Sequence, residues 1–192
     1  MKTHGSEDYD TIRLSTLLRI VRFVFGLLSQ ILVTMSGQFL APSFAVHMKA
    51  FGFSPSFIGI CFAVPGVIYA AFAPVMYLLT ERMPKRAVIV LGAVVMSVGM
   101  FFVGTSKSLG LENNPAMIVI GLMILGASWA IMSIPVLPEM LEAVEMKADL
   151  NYNAEELDNF ISGIFVISNG IGEAIGPILS SFLNDAYGFR ES

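Results

Sequence analysis

Asn159 to Asn184 reads NFISGIFVISNGIGEAIGPILSSFLN, 26 residues with a single formal charge, Glu173, near the middle. A run of that length crosses a bilayer as one helix. Small residues recur at every fourth place, Ser168, Gly172, Gly176 and Ser180, and on a helix they form one smooth ridge against which a second helix backbone lies closely, with Pro177 beside it. Next to the ridge runs a polar line, Ser162, Asn169, Glu173 and Ser180, separated by 7, 4 and 7 residues, so these side chains share nearly one face. A charge at the centre of a lipid-facing helix costs roughly 2.5 to 3.5 kcal/mol. Glu173 is therefore expected to face a cavity or a partner.

The rest of the chain agrees with a lipid solvent. Its 192 residues are 55% hydrophobic and only 14% charged, and the mean hydropathy is +0.74, which excludes an ordinary soluble domain. A net charge of -4 offers nucleic acid no basic surface, so no nucleic-acid partner is expected. The lone cysteine, Cys61, has no intrachain partner for a disulfide. The acidic first ten residues, followed by an apolar run too long for a signal-peptide core, read as no cleaved leader.

Taken in order, a polar tail (1–15) leads to an uncharged run, 23–46, that makes the first crossing, with Ser29, Gln30, Ser36, Gly37 and Gln38 inside it and Pro42 expected to kink or end it. Ser54 followed by Pro55 reads as a cap and first residue for the second crossing, 55–80, with Pro65 and Pro74 implying bends. The six-residue link Glu81 to Arg86 forces antiparallel neighbours, and 87–106 is the third crossing. Asn114 and Pro115 start the fourth, 115–138. An acidic loop, 139–157, follows, and Asn153 with Glu156 caps the fifth helix, whose crossing is 158–184. The expectation is an all-α, polytopic bundle of five transmembrane helices. Eight of the 11 Lys and Arg fall on the N-terminal side and three, Lys49, Lys107 and Arg190, on the other, which predicts a cytoplasmic N-terminus.

The link carries the most specific motif. Leu79, Thr80, Glu81, Arg82, Lys85 and Arg86 agree with, or conservatively replace, the Gly-x-Leu-Ala-Asp-Arg-x-Gly-Arg-Arg signature between the second and third helices of each half of major facilitator superfamily transporters, whereas Tyr77 and Pro84 stand where that family has glycines. The chain resembles a C-terminal half of that family. Ser133-Ile134-Pro135-Val136-Leu137-Pro138-Glu139 and Gly172-Glu173-Ala174-Ile175-Gly176-Pro177, with Gly188-Phe189 following, are similar to helices ten and eleven of its vesicular amine and polyamine transporter branch. The likeness runs from about Gly26 to Phe189, in the order of helices seven to eleven.

What the resemblance implies is a proton-coupled antiporter that loads small organic cations into acidic compartments, with a vesicular or endomembrane location. Substrate in this superfamily lies between two six-helix halves, so a missing N-terminal half or another membrane subunit is an expected partner, alongside the bilayer and the organic cation. Glu173 is the candidate for proton or cargo exchange, with Asn169, Gln38 and Ser133 as weaker candidates for lining a cavity. Glu81, Arg82, Lys85 and Arg86 are the candidate cytoplasmic gate. Two departures stand out: Leu40-Ala41-Pro42 occupies the place where that branch carries an acid, and Glu173 a place that is usually uncharged. The competing expectation is a non-transporting scaffold or transporter remnant, which Met1 before a seventh-helix-like start and the stop after Ser192 favour if those ends are natural.

No cofactor, metal or enzymatic activity is expected. Gly170-x-Gly172-x-x-x-Gly176 has a last gap one residue too long for a dinucleotide fingerprint and lies within a helix pattern. There is no Walker A run and no H-E-x-x-H. His4 and His47 are isolated, and the 12 methionines show no ligand spacing with His or Cys.

Overall fold

Two polar caps start the helices where the sequence predicts. The Ser54 hydroxyl accepts the Phe57 amide at 3.3 Å, and the Asn153 side-chain oxygen accepts the amides of Glu155 and Glu156 at 3.0 and 3.3 Å. The computed structural model describes residues 12–104, 115–147 and 153–187. They form α1 (Leu14–Leu17), α2 (Val21–Ala50), α3 (Pro55–Thr80), α4 (Lys85–Val103), α5 (Pro115–Ser133), α6 (Val136–Glu145) and α7 (Ala154–Tyr187), and no strand occurs among the described residues. The first ten residues, Ser106, Lys107, Asn114, Asp149, Gly188, Phe189 and Arg190 lie outside them.

The fold is all-α. Five stretches are long and apolar enough to cross a membrane: α2, α3, α4, the α5–α6 stretch Pro115–Glu145, and Ala154–Leu183 of α7. Between α2 and α3 the chain reverses at Gly52, whose φ of 82° is a left-handed setting that glycine adopts without strain. Outward faces are apolar. Phe62, Val67, Phe72, Val75 and Leu78 on α3 are exposed, the inside-out pattern of a helix that meets acyl chains.

Three expectations need correction. Of the two outcomes expected at Pro42, an end to the helix does not occur, and α2 runs on to Ala50; proline removes one amide donor, a loss that a membrane helix tolerates. The fourth crossing is not one helix, because Ile134 and Pro135 interrupt it. Pro135 and Pro138 both lack the amide that would continue the ladder, so a new helix, α6, starts at Val136.

The acidic loop 139–157 is the third. Its first part is α6, with Val136, Met140, Ala143 and Val144 buried along one side at helical spacing, and Glu139 is 1% exposed. An acid in a loop would be solvated, but Glu139 is ion-paired with arginines from two other helices, Arg22 and Arg86.

The core has two main centres. One gathers the first half of α2 with α6 and α7 through Phe23, Val33, Val136, Met140 and Ile161. The other joins the far end of α2 to α3, α4 and α5 through Phe44, Met48, Ile58, Val103 and Leu125. Close backbone approach sets the spacing of both. A Cβ added to Gly126 of α5 would lie 2.4 Å from the Pro65 carbonyl oxygen of α3, so the two helices touch where only hydrogen fits.

Candidate functional site

The α2–α7 seam holds most of the sequence-predicted site. Gly172 and Gly176 face α2 so closely that an added Cβ would fall 2.0 Å from the Thr34 hydroxyl and 2.6 Å from the Ile31 carbonyl oxygen at the first, and 2.8 Å from the Met35 carbonyl oxygen at the second. Ser168 and Ser180 are buried on the same ridge. Pro177 is half-buried at its edge.

Halfway along this seam a neutral polar brace crosses three helices. Gln30 of α2, only 3% exposed, donates from Nε2 to Asn169 Oδ1 of α7 at 2.7 Å and accepts on Oε1 from the Ser133 hydroxyl of α5 at 3.1 Å. A second α2–α5 bond lies about two turns away. The Trp129 indole donates to Ser36 Oγ at 3.0 Å, and Ser36 in turn donates to the Val33 carbonyl at 2.7 Å. Asn169 and Ser133, 36 positions apart in sequence, thus meet through one amide.

Gln38 and Glu173 stand apart from the brace. Gln38 is exposed, with its Cβ 2.9 Å from where a side chain on Gly176 would start, and Glu173 is exposed one residue past Gly172. Glu173 makes no hydrogen bond or ion pair with any described residue. Glu173 therefore lacks, among the described residues, the bonded partner that its mid-helix charge called for; it lies exposed at the edge of the seam.

The gate candidates gather at the Arg22 end of the bundle. Arg22 Nε pairs with Glu139 Oε1 at 2.8 Å and its Nη2 with Glu142 Oε1 at 3.3 Å; Arg86 Nε reaches Glu139 Oε1 at 3.4 Å, and Lys85 pairs with Glu142. With Thr80, Glu81, Met83 and Pro84 these residues line an open pocket of about 250 Å³. Two cations of the link thus close on α6 across the start of α2. Arg82 is exposed and makes no ion pair among the described residues.

Sequence reading missed four members of these clusters: Gln30, Arg22, Glu139 and Glu142. Gln30 was visible as a polar residue inside an apolar crossing, and that was its only signal. Glu139 and Glu142 were hidden in an acidic stretch, although their i, i+3 spacing puts both on one helix face.

The profile of the Major Facilitator Superfamily matches residues 26–192. The chain belongs to that superfamily. It is 28% identical over 170 residues to the MFS-type transporter SLC18B1 of Rattus norvegicus, which covers 86% of this chain and 37% of the relative. The Mus musculus protein of the same name is 28% identical and the Homo sapiens one 26%, each over 172 residues, 86% of this chain and 37% of the relative. The chain thus spans little more than a third of the length of these curated relatives. No solved structure matches it. As a superfamily member with five apolar crossings it is an integral membrane protein of a transporter family, in line with the resemblance carried by Glu81–Arg86 and Gly172–Pro177.

Proposed function

We propose that this chain is part of a secondary active transporter that exchanges protons for small organic cations by alternating access, with Glu173 as the carboxylate that holds proton and cargo in turn. The observation that carries it is the position of that acid. Glu173 is the only charge between Asp158 and Asp185, and it is exposed at the edge of a tight helix seam rather than neutralised within the five helices. A carboxylate there has water or a further protein segment as its only tolerable surroundings. A second set of helices, from the rest of a longer chain or from another subunit, would enclose it at the midplane, where carriers of this type hold substrate.

Asn169, Gln38 and Ser133 would line or brace the path beside it. The clamp of Arg22, Lys85 and Arg86 on Glu139 and Glu142 supports a latch at the cytoplasmic side, opening and closing as one half rocks against the other. The distribution of Lys and Arg supports a cytoplasmic N-terminus, and the likeness to the amine branch supports a vesicular or endomembrane location.

The test is pH-gradient-driven uptake of an amine into liposomes that contain the intact transporter. Glu173→Gln keeps the shape and removes the titration, and it is expected to abolish uptake. Undiminished uptake by this variant would remove the coupling role.

A further inference from the structure

The glycines of the α7 ridge give close approach without direction. Ser168, Gly172, Gly176 and Ser180 repeat every four residues, the period of one helical turn, and small side chains offer little resistance to sliding or rolling along α2. Something directional must set where α7 stops. Across the α2–α7 seam the Gln30 side chain donates a hydrogen bond to Asn169, and its other end is held by Ser133 of α5. Fixing register, more than adding stability, is a role that buried polar groups perform in helix bundles.

We propose that Gln30 is the positioning residue for Glu173. Asn169 and Glu173 are one helical turn apart on the same face, so a bond that fixes Asn169 against α2 fixes the carboxylate one turn further along. Through Ser133 the setting is referred to α5, and with it to the helix that leads into α6 and the charged clamp. Gln30 touches neither proton nor cargo; it acts on both through the placement of α7. The proposal rests on Glu173 being the exchanging carboxylate.

Placement is readable without transport. A hydrophobic carbodiimide adds to a protonated carboxyl, so the pH profile of Glu173 labelling in lipid vesicles, with Glu173→Gln as the blank, reports the surroundings of that one group. Among the described residues the elements packed most extensively against α7 are α2 and α6. The first carries no charged or titratable residue between Arg22 and His47, and the acids of the second are the ion-paired Glu139 and Glu142 and the exposed Glu145 at its end. A displaced profile therefore reports movement of α7, not a change in a charged neighbour.

Gln30→Leu, which keeps the bulk and loses both bonds, is expected to displace the profile in the full chain. The exchange variant Gln30→Asn with Asn169→Gln keeps the summed reach of the two side chains and is expected to restore it. Should Gln30→Leu fail to fold, Ser133→Ala removes a single hydroxyl and is expected to shift the profile in the same sense. A wild-type profile in Gln30→Leu, or in Ser133→Ala where that variant stands in, overturns the proposal. The two failures are separable: amine uptake by Glu173→Gln tests what the carboxylate does, and labelling tests what holds it in place.

Discussion

Helix α2 is tied to its neighbours in two unlike ways. At its start, Arg22 joins a cluster of full charges with Lys85, Arg86, Glu139 and Glu142, gathered from three helices beside an open pocket. About a third of the way along, the ties are neutral: an amide, a second amide and a hydroxyl at Gln30, Asn169 and Ser133, beside a glycine seat. The difference follows the solvent. Where water reaches, charged groups keep part of their hydration and ion pairs form and break readily; at mid-depth only groups that carry no charge can be buried cheaply. One end of α2 is thus suited to releasing its neighbours, and the stretch around Gln30 to holding them in register.

The largest effect is expected where the seam is tightest. Gly172→Leu drives a side chain into Thr34 and the Ile31 carbonyl and should destabilise the α2–α7 pair by about 3 kcal/mol or more, since the clash is with backbone that has nowhere to move. Loss of the folded peak in gel filtration of the detergent-solubilised chain checks it. Arg22→Met comes next. It leaves the buried carboxylate of Glu139 with only the longer contact to Arg86, and a cost of about 2 kcal/mol is expected, below the 3 to 5 kcal/mol of a fully buried broken pair because Arg22 is partly hydrated. Its mark is salt: ion pairs near water are screened at about 1 M salt, so the gap between Arg22→Met and the parent chain should narrow there. A gap that ignores salt would break the contrast between the two ties.

Gln30→Leu sharpens the same contrast from the other side. Two membrane hydrogen bonds of about 0.6 kcal/mol each predict a loss near 1 kcal/mol, and it should be indifferent to salt. Unfolding curves at low and high ionic strength measure both variants in one experiment. A salt-dependent loss for Gln30→Leu would mean that water and ions reach the brace.

How much of this was legible in the sequence depends on whether a residue acts through its own helix or across helices. The α7 ridge, the caps at Ser54 and Asn153 and the five crossings follow from local spacing and length, which one chain segment displays in full. The break at Pro135 was half legible: its proline was noted, but the buried face of α6 appears only when Glu139 is seen to be neutralised by Arg22 and Arg86, more than 50 positions away. Gln30 was legible as polar and illegible as a hub, since its two partners lie 103 and 139 positions off. Glu173 stood out as costly in lipid, yet nothing on α7 itself says which body covers it.

The smallest effect tests whether α7 has one packed side or two. Gly163 and Gly170 lie off the seam, and a Cβ at either position meets nothing within 4 Å. Where the surroundings are open, replacing a helical glycine by alanine removes backbone freedom from the unfolded chain and stabilises the helix by about 0.5 to 1 kcal/mol. Gly170→Ala is therefore expected to raise the stability of the solubilised chain slightly, opposite in sign to Gly172→Leu two residues on. The same substitution in the intact transporter separates two surroundings. A small gain there means that lipid or water lies against this side of α7, whereas a loss means that another helix approaches as closely as α2 does on the seam, and that Glu173, three residues further along, sits beside that second contact.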